Sequence, residues 1–180
     1  QYAPVSLISD CIPVVSEAFG KGCTGSDTEC LKMTLDKSRT KALLREMGVP
    51  VAREVQIRPN SARATFESFV SEMQNVFGES HPGIFVKPSA SEGILFDKSV
   101  FKAGKIVGTP EETVTLRAIW KQVEELLNTM KMPVLVEEMV GTGELNLSMV
   151  QFHDMAEPMV LAMAEIDFSS LKPDLPKIVD

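Results

Sequence analysis

Residues 134–144 read Val-Leu-Val-Glu-Glu-Met-Val-Gly-Thr-Gly-Glu. The apolar run that opens this stretch, rich in β-branched side chains, predicts a short buried strand over Val134–Glu138. The strand ends in two adjacent carboxylates, Glu137 and Glu138. Backbone flanked by Met139 and Val140 follows, and then Gly143-Glu144. On the upstream side, Leu116, Ile119, Trp120, Val123, Leu126, Leu127 and Met130 recur at helical spacing. They predict one buried stripe on a long helix. Thr109 is placed to cap that helix, Pro110 suits its first turn and Glu112 completes a capping box. On the downstream side, Glu144–Phe152 and Met159–Phe168 read as strands.

The pattern extends towards the N-terminus. Ile84-Phe85-Val86-Lys87 is a compact apolar run and predicts another buried strand. A polar loop, Ser89 to Gly93, comes next. Ile94–Phe101 and Lys105–Val107 then read as a hairpin with Gly104 in its turn. Phe66, Phe69, Val70, Met73 and Phe77 share one face of a helix predicted from about Arg63 to Phe77. A helix is expected over Thr34–Met47, with Gly48 at its C-terminal cap and Pro50 as a stop. Val51, Val55 and Ile57 suggest a short strand after it. Leu7–Phe19 reads as an amphipathic helix bent or interrupted at Pro13, followed by a turn-rich connection at Gly20, Gly22 and Gly25. The resulting class is α+β, a helix layer packed on a mostly antiparallel sheet.

Bulk properties narrow the function. The 180 residues amount to about one domain. A net charge of −7 argues against a dedicated nucleic-acid binder, which needs a basic face. No apolar run approaches the roughly 20 residues of a bilayer span, and no signal-peptide pattern opens the chain. The cysteines, Cys11, Cys23 and Cys30, form no CxxC pair, and His81 and His153 are the only histidines. Reduced thiols in a cytoplasmic protein fit better than a zinc site or a disulfide framework. The ends, Gln1 and Ile178-Val179-Asp180, read like cuts in a longer protein.

Four segments offer chemistry, each beside a plainer role. Lys37, in Leu35-Asp36-Lys37, opens a helix and can meet a phosphate as a point charge; a solvated surface lysine is the plainer role. Lys87 stands at a strand end before Pro88, where a small-residue loop with Ser89, Ser91 and Gly93 offers N–H groups and hydroxyls to an anion. An ordinary turn would look similar. Glu137 to Val140 can form a hinge whose backbone pairs with a purine edge while Met139 and Val140 sandwich the ring. Glu144 can accept from ribose hydroxyls. The same segment also fits a hairpin with charged edges. Gly22-Cys23-Thr24-Gly25-Ser26-Asp27 lacks the spacing of a Walker loop or a dinucleotide fingerprint and reads as a helix-entry loop.

Taken in order, Thr24-Gly25-Ser26-Asp27, Leu35-Asp36-Lys37 with Lys41, Gly48-Val49-Pro50-Val51, Phe85-Val86-Lys87-Pro88, Val136-Glu137-Glu138 and Gly143-Glu144 resemble the ATP-grasp superfamily. Within it the match is to D-alanine–D-alanine ligase and its relatives, from about Leu7 to Asp180. The resemblance implies a tail of the preceding domain and a linker over 1–32. It places the ATP-grasp small subdomain over 33–139 and the first strands of the large subdomain over 140–180. It implies ATP binding by Lys37, Lys87, Ser89, Ser91, Gly93, Glu137, Glu138, Met139, Val140 and Glu144. Lys37 and Lys87 would meet phosphates, Ser89–Gly93 would close over them, Glu137–Val140 would hold adenine and Glu144 ribose.

The implied reaction joins a carboxylate to an amine through an acyl phosphate, with ATP and Mg2+ as cofactors and a small amino-acid-like substrate. Its metal ligands and its catalytic residues are expected beyond Asp180, so the chain by itself is expected to be inactive. The resemblance implies no nucleic-acid or membrane partner and leaves room for a homodimer. Another ATP-grasp amino-acid or peptide ligase, or a non-catalytic nucleotide-binding module, would share these features. Two departures stand out: the phosphate loop is short and carries Glu92, and Cys23 stands where the family has an aromatic residue.

Overall fold

In the computed structural model, β1 (Glu54–Ile57), β3 (Ile84–Pro88), β4 (Ser99–Phe101) and β6 (Val134–Glu138) make one sheet in the order β1-β6-β3-β4. Every pairing in it is antiparallel. The structure describes residues 5–59, 65–90, 99–108, 114–141 and 143–170. The chain divides into two compact units, Gln1–Met139 and Val140–Asp180.

Strand alternation gives the sheet two different faces. Val55 and Ile57 of β1, Val134 and Val136 of β6, and Ile84 and Val86 of β3 point one way and are all buried. Against them pack α4 (Phe66–Phe77) and α5 (Val114–Met130). The helical stripes do what their spacing predicts. Leu116, Ile119, Trp120, Val123, Leu126 and Leu127 of α5 are buried, as are Phe69, Met73 and Phe77 of α4. The Phe69 and Trp120 rings meet at 5.2 Å between centroids. α4 begins at a reciprocal cap: the Thr65 hydroxyl accepts from the Ser68 amide, and the Ser68 hydroxyl accepts from the Thr65 amide. The opposite face carries Glu54, Gln56, Glu137, Phe85 and Lys87.

Two sequence expectations are corrected. The single helix expected over Thr34–Met47 is two helices, α2 (Thr28–Leu35) and α3 (Lys37–Glu46). Asp36 separates them in an extended conformation, and its carboxylate accepts from the Ser38 and Arg39 amides at the start of α3. The break has a tertiary cause. Asp36 bridges Ala90, and the Lys37 amide donates to the Ser89 carbonyl at 3.0 Å. The chain leaves the helical path to join the end of β3. The far end behaves as expected. Gly48 has φ 76°, and the Gly48 and Val49 amides donate to the Arg45 and Leu44 carbonyls, which closes α3 with a Schellman turn.

The second correction concerns the hairpin read over Ile94–Phe101 and Lys105–Val107. β4 pairs with β3, whereas β5 (Gly104–Lys105) pairs with β2 (Ser80–His81). Gly104 is therefore a strand residue and not a turn residue. It is packed so tightly that a Cβ there would lie 2.9 Å from His81 Nε2. The cap residues predicted for α5, Thr109, Pro110 and Glu112, lie outside the described residues. The first helix, α1 (Val5–Ala18), runs through Pro13 without a break. Glu17 near its end accepts from both the amide and the hydroxyl of Thr28.

The second unit contains an antiparallel ribbon of β7 (Leu145–Val150) and β8 (Met159–Glu165), with a register shift at Ser148/Met149. Its apolar side chains, among them Leu145, Leu161 and Met163, are exposed. A two-stranded ribbon of this kind is marginal by itself.

The first unit's stability should depend on the junction of α4, α5 and the sheet. Phe69→Ala empties the space beside Trp120 and is expected to destabilise by about 3–5 kcal/mol in urea unfolding followed by tryptophan fluorescence. A loss below about 1 kcal/mol would show that this junction is not the core.

Candidate functional site

Adjacent residues on a strand face opposite ways, so Glu137 and Glu138 part company at the end of β6. Glu138 is taken up by Arg53. Its carboxylate accepts from the Arg53 amide and from Nε, each at 2.8 Å, and pairs with the far guanidinium nitrogen at 2.7 Å. Arg53 also donates to the Val76 carbonyl at the end of α4 and lies over the Phe77 ring. These bonds tie β1, β6 and α4 together at one edge. Hydrogen bonds from Arg53 hold the Glu138 carboxyl below its ordinary range, against a smaller opposing effect of burial.

Glu137 points to the other face and joins an alternating chain of charge. Register places Glu54 of β1 directly opposite Glu137 of β6. Like charges across a strand pair repel. Lys41 of α3 removes the conflict: its ammonium donates to Glu54 at 2.7 Å and to Oε2 of Glu137. Lys87 of β3 donates to the other oxygen of Glu137 at 2.9 Å and lies over the Phe85 ring. The series Glu54–Lys41–Glu137–Lys87 thus crosses β1, α3, β6 and β3. Its members are only partly exposed, from 9% for the Glu54 side chain to 24% for Lys87.

Lys37 is brought beside this series by the main-chain bond to Ser89. Burial, then the nearby charge of Lys87, lowers the Lys37 ammonium from its ordinary range, and Glu137 and Asp36 oppose the shift. For Glu137, burial pushes the carboxyl up, but the charge of Lys87 and the hydrogen bonds from Lys41 and Lys87 bring it below the ordinary value. The site is therefore a cluster of lysines and carboxylates in which Lys37 and Lys87 lie within electrostatic reach of each other.

Of the residues singled out from the sequence, Lys37, Lys87, Ser89 and Glu137 come together here. Ser89 is buried at 2% exposure and works through its backbone, its amide donating to the Pro133 carbonyl. Glu138 is nearby in sequence but faces Arg53. The Met139 amide is engaged by the Gly83 carbonyl at 2.8 Å, so a ligand would meet this residue through its carbonyl or its side chain. Val140 and Glu144 belong to the second unit, where the Glu144 carbonyl accepts from the Ile166 amide. Ser91 and Gly93 lie outside the described residues. Sequence reading gave no role to Lys41, Glu54 or Arg53. Lys41 carried a usable signal, since it stands four residues after Lys37 on the same helix face. Glu54 and Arg53 show their partners only once strand register is known.

This fold, a four-stranded antiparallel sheet backed by two helices, is similar to that of solved ATP-dependent ligases. The solved structures that share it include D-alanine–D-alanine ligases. The enzyme from Coxiella burnetii superposes with a TM-score of 0.59 at 17% identity, over 86% of this chain and 40% of that one. The VanG D-Ala:D-Ser ligase from Enterococcus faecalis gives 0.59 at 22% identity, over 88% and 39%. The Bacillus anthracis D-alanine–D-alanine ligase complexed with ATP gives 0.50 at 14% identity, over 83% and 46%. The chain thus spans less than half the length of the ligases it matches. No family model matches the sequence, and comparison with curated proteins finds no match either.

The cluster has a pH signature. The Glu137 carboxyl is lowered in the folded state, so its contribution is fully present above the ordinary value of 4.5 and is lost as pH falls through the folded value. Glu137→Gln takes the ion pair from Lys87, leaves Lys41 with Glu54, and is expected to cost about 2 kcal/mol near neutral pH. The difference from wild type should begin to close as pH falls below 4.5 and close fully once pH has passed the lowered folded value, read by urea unfolding of both proteins at each pH. A gap that stays constant over that range would mean that the Glu137 charge does not hold the lysines.

Proposed function

We propose that this chain is the nucleotide-gripping portion of an ATP-dependent carboxylate–amine ligase resembling D-alanine–D-alanine ligase. The observation that carries the proposal is the convergence of Lys37 and Lys87 on one sheet face, beside the end of β3. A polyphosphate is the ligand such a site suits: compact ammonium groups neutralise its charge where burial limits screening by water. The ATP complex of a ligase with this fold supports the same choice.

In the proposed reaction a carboxylate oxygen attacks the γ-phosphorus of ATP. The bond from phosphorus to the bridging oxygen breaks, and ADP leaves. An amine nitrogen then attacks the acyl carbon, phosphate departs, and the amine gives its proton to solvent. Lys37 and Lys87 bind and orient the phosphates and offset the charge that moves during transfer, the main device by which phosphoryl transfer is catalysed. The resemblance assigns Ser89, Ser91 and Gly93 to the phosphates as well, and of these Ser89 is held at the end of β3 by its backbone bonds to Lys37 and Pro133. The end of β6 through Val140 takes the adenine, and Glu144 takes the ribose hydroxyls. Acceptor identity stays at the level of an amino-acid-like amine, because a D-Ala–D-Ala ligase and a D-Ala:D-Ser ligase match this chain with the same TM-score.

Magnesium would supply further charge neutralisation at the phosphates. Among the described residues no group of three or more His, Cys, Asp or Glu side chains comes together, and the carboxylates nearest the lysines, Glu54 and Glu137, are already paired with them. We propose that residues outside the described ones hold the metal, as the resemblance to ATP-grasp ligases implies.

The test is a calorimetric titration of the chain with ATP, alongside Lys37→Ala and Lys87→Ala. Each substitution removes a charge-assisted contact and should weaken ATP binding about tenfold or more. Adenosine, which lacks phosphates, should bind all three proteins equally. Wild-type chain that takes up no ATP, or lysine variants that bind it as well as wild type, would rule the proposal out.

A further inference from the structure

The ladder of β1 and β6 continues one pair beyond Glu54 and Glu137, and that pair is irregular. Register carries Arg53 opposite Glu138. In a hydrogen-bonded antiparallel pair the two residues exchange both main-chain bonds. Here the Glu138 amide donates to the Arg53 carbonyl at 3.0 Å, but the Arg53 amide donates to Oε1 of the Glu138 side chain at 2.8 Å. The carboxylate takes the donor that a regular ladder would return to the main-chain carbonyl of Glu138. Its other oxygen, Oε2, accepts from Nε of Arg53 at 2.8 Å and lies 2.7 Å from a terminal guanidinium nitrogen. The second terminal nitrogen donates to the Val76 carbonyl at 3.2 Å, and the guanidinium stands 5.1 Å from the centre of the Phe77 ring. Anchored on α4, Arg53 therefore holds the Glu138 carboxylate over its own amide. At the next residue the Met139 amide donates to the Gly83 carbonyl. With both amides engaged, the end of β6 meets a ligand as a hydrogen-bond acceptor.

We propose that Arg53 is a positioning residue for the base of the bound nucleotide: by fixing the Glu138 carboxylate on the Arg53 amide, it keeps the Glu138 main-chain carbonyl out of the ladder and able to accept from an exocyclic amino group. This inference rests on the nucleotide reading above, which lays the base along the end of β6. Arg53 itself does not touch the base. Without the guanidinium the carboxylate is released to water, the amide at position 53 returns to the main-chain carbonyl, and the acceptor is lost. A 6-amino purine feels that loss. A 6-oxo purine does not, because it has no amino hydrogen to give. The phosphates are spared as well, since Lys87 stands with Glu137 on the opposite face of the sheet.

The experiment uses calorimetry with three probes, ATP, inosine triphosphate and tripolyphosphate, on wild type, Arg53→Met, Glu138→Ala and Glu138→Gln. Circular dichroism monitors folding. Wild type should favour ATP over inosine triphosphate about tenfold, the worth of one hydrogen bond. Arg53→Met and Glu138→Ala should each weaken ATP about tenfold and leave inosine triphosphate and tripolyphosphate within about twofold, so that the preference for the amino purine disappears. Glu138→Gln keeps an oxygen for the Arg53 amide and should recover most of what Glu138→Ala loses. A merely structural role would weaken both nucleotides alike and leave their ratio unchanged. If Arg53→Met fails to fold, the contrast between Glu138→Ala and Glu138→Gln decides.

Three outcomes overturn the inference: wild type without preference between the two nucleotides, a preference that survives in Arg53→Met or Glu138→Ala, or Glu138→Gln as impaired as Glu138→Ala. In each of these the nucleotide reading stands as long as wild type binds ATP. Wild type that binds none of the probes overturns both.

Discussion

The carboxylate of Glu137 accepts from Lys41 with one oxygen and from Lys87 with the other, and the arrangement of the open sheet face follows from that sharing. Glu54 lies directly opposite Glu137, so the pair needs a cation between them, and Lys41 of α3 supplies it. One side chain thereby fixes where α3 sits against β1 and β6, and where the end of β3 carries its lysine. Partly buried ion pairs are poor sources of net stability, because desolvation offsets most of the attraction. Their effect here is to specify geometry: removing one member leaves its neighbours charged and unmatched.

That geometry is only as firm as the layer behind it. Val55, Val136 and Val86 occupy the opposite face at the same level of the sheet and are buried against α4 and α5. The alternation that buries them is what delivers Glu54, Glu137 and Lys87 to the other side. Arg53 and Glu138 close the edge where β1, β6 and α4 meet. The Asp36 break adds the last element. A continuous helix would carry Lys37 past the sheet, whereas the bonds of Asp36 and Lys37 to Ala90 and Ser89 bring its first turn to the end of β3.

Much of this was legible in the sequence wherever burial sets a period. The stripes of α4 and α5, the strands β3 and β6 and the Gly48 turn follow from side-chain spacing and from one positive φ, which are local properties. The break at Asp36 was not legible, because Leu35-Asp36-Lys37 is a tolerable helix sequence and its bond to Ser89 spans 52 residues of chain. The hairpin failed for a related reason. Gly104 resembles a turn glycine, but its lack of a side chain serves contact with His81. Within the site, single residues such as Lys37, Lys87 and Glu137 could be picked out by charge at an element's end. The pairing that organises them could not, because Glu54 and Lys41 acquire meaning only through register.

The acidity of the chain and the basic character of the site belong to one design. With a net charge of −7, an anion has no general reason to approach, so any attraction must be local. Burial, and after it the nearby charge of Lys87, lowers the Lys37 ammonium, with Glu137 and Asp36 opposing the shift. A polyphosphate of the kind proposed for this site would offset the repulsion and replace hydration lost on burial, and would interact with the cluster more strongly than with the same lysines on an open surface. Under the proposed function none of these terms involves an acceptor, so a phosphate grip built on Glu137 and its lysines would be compatible with more than one acceptor.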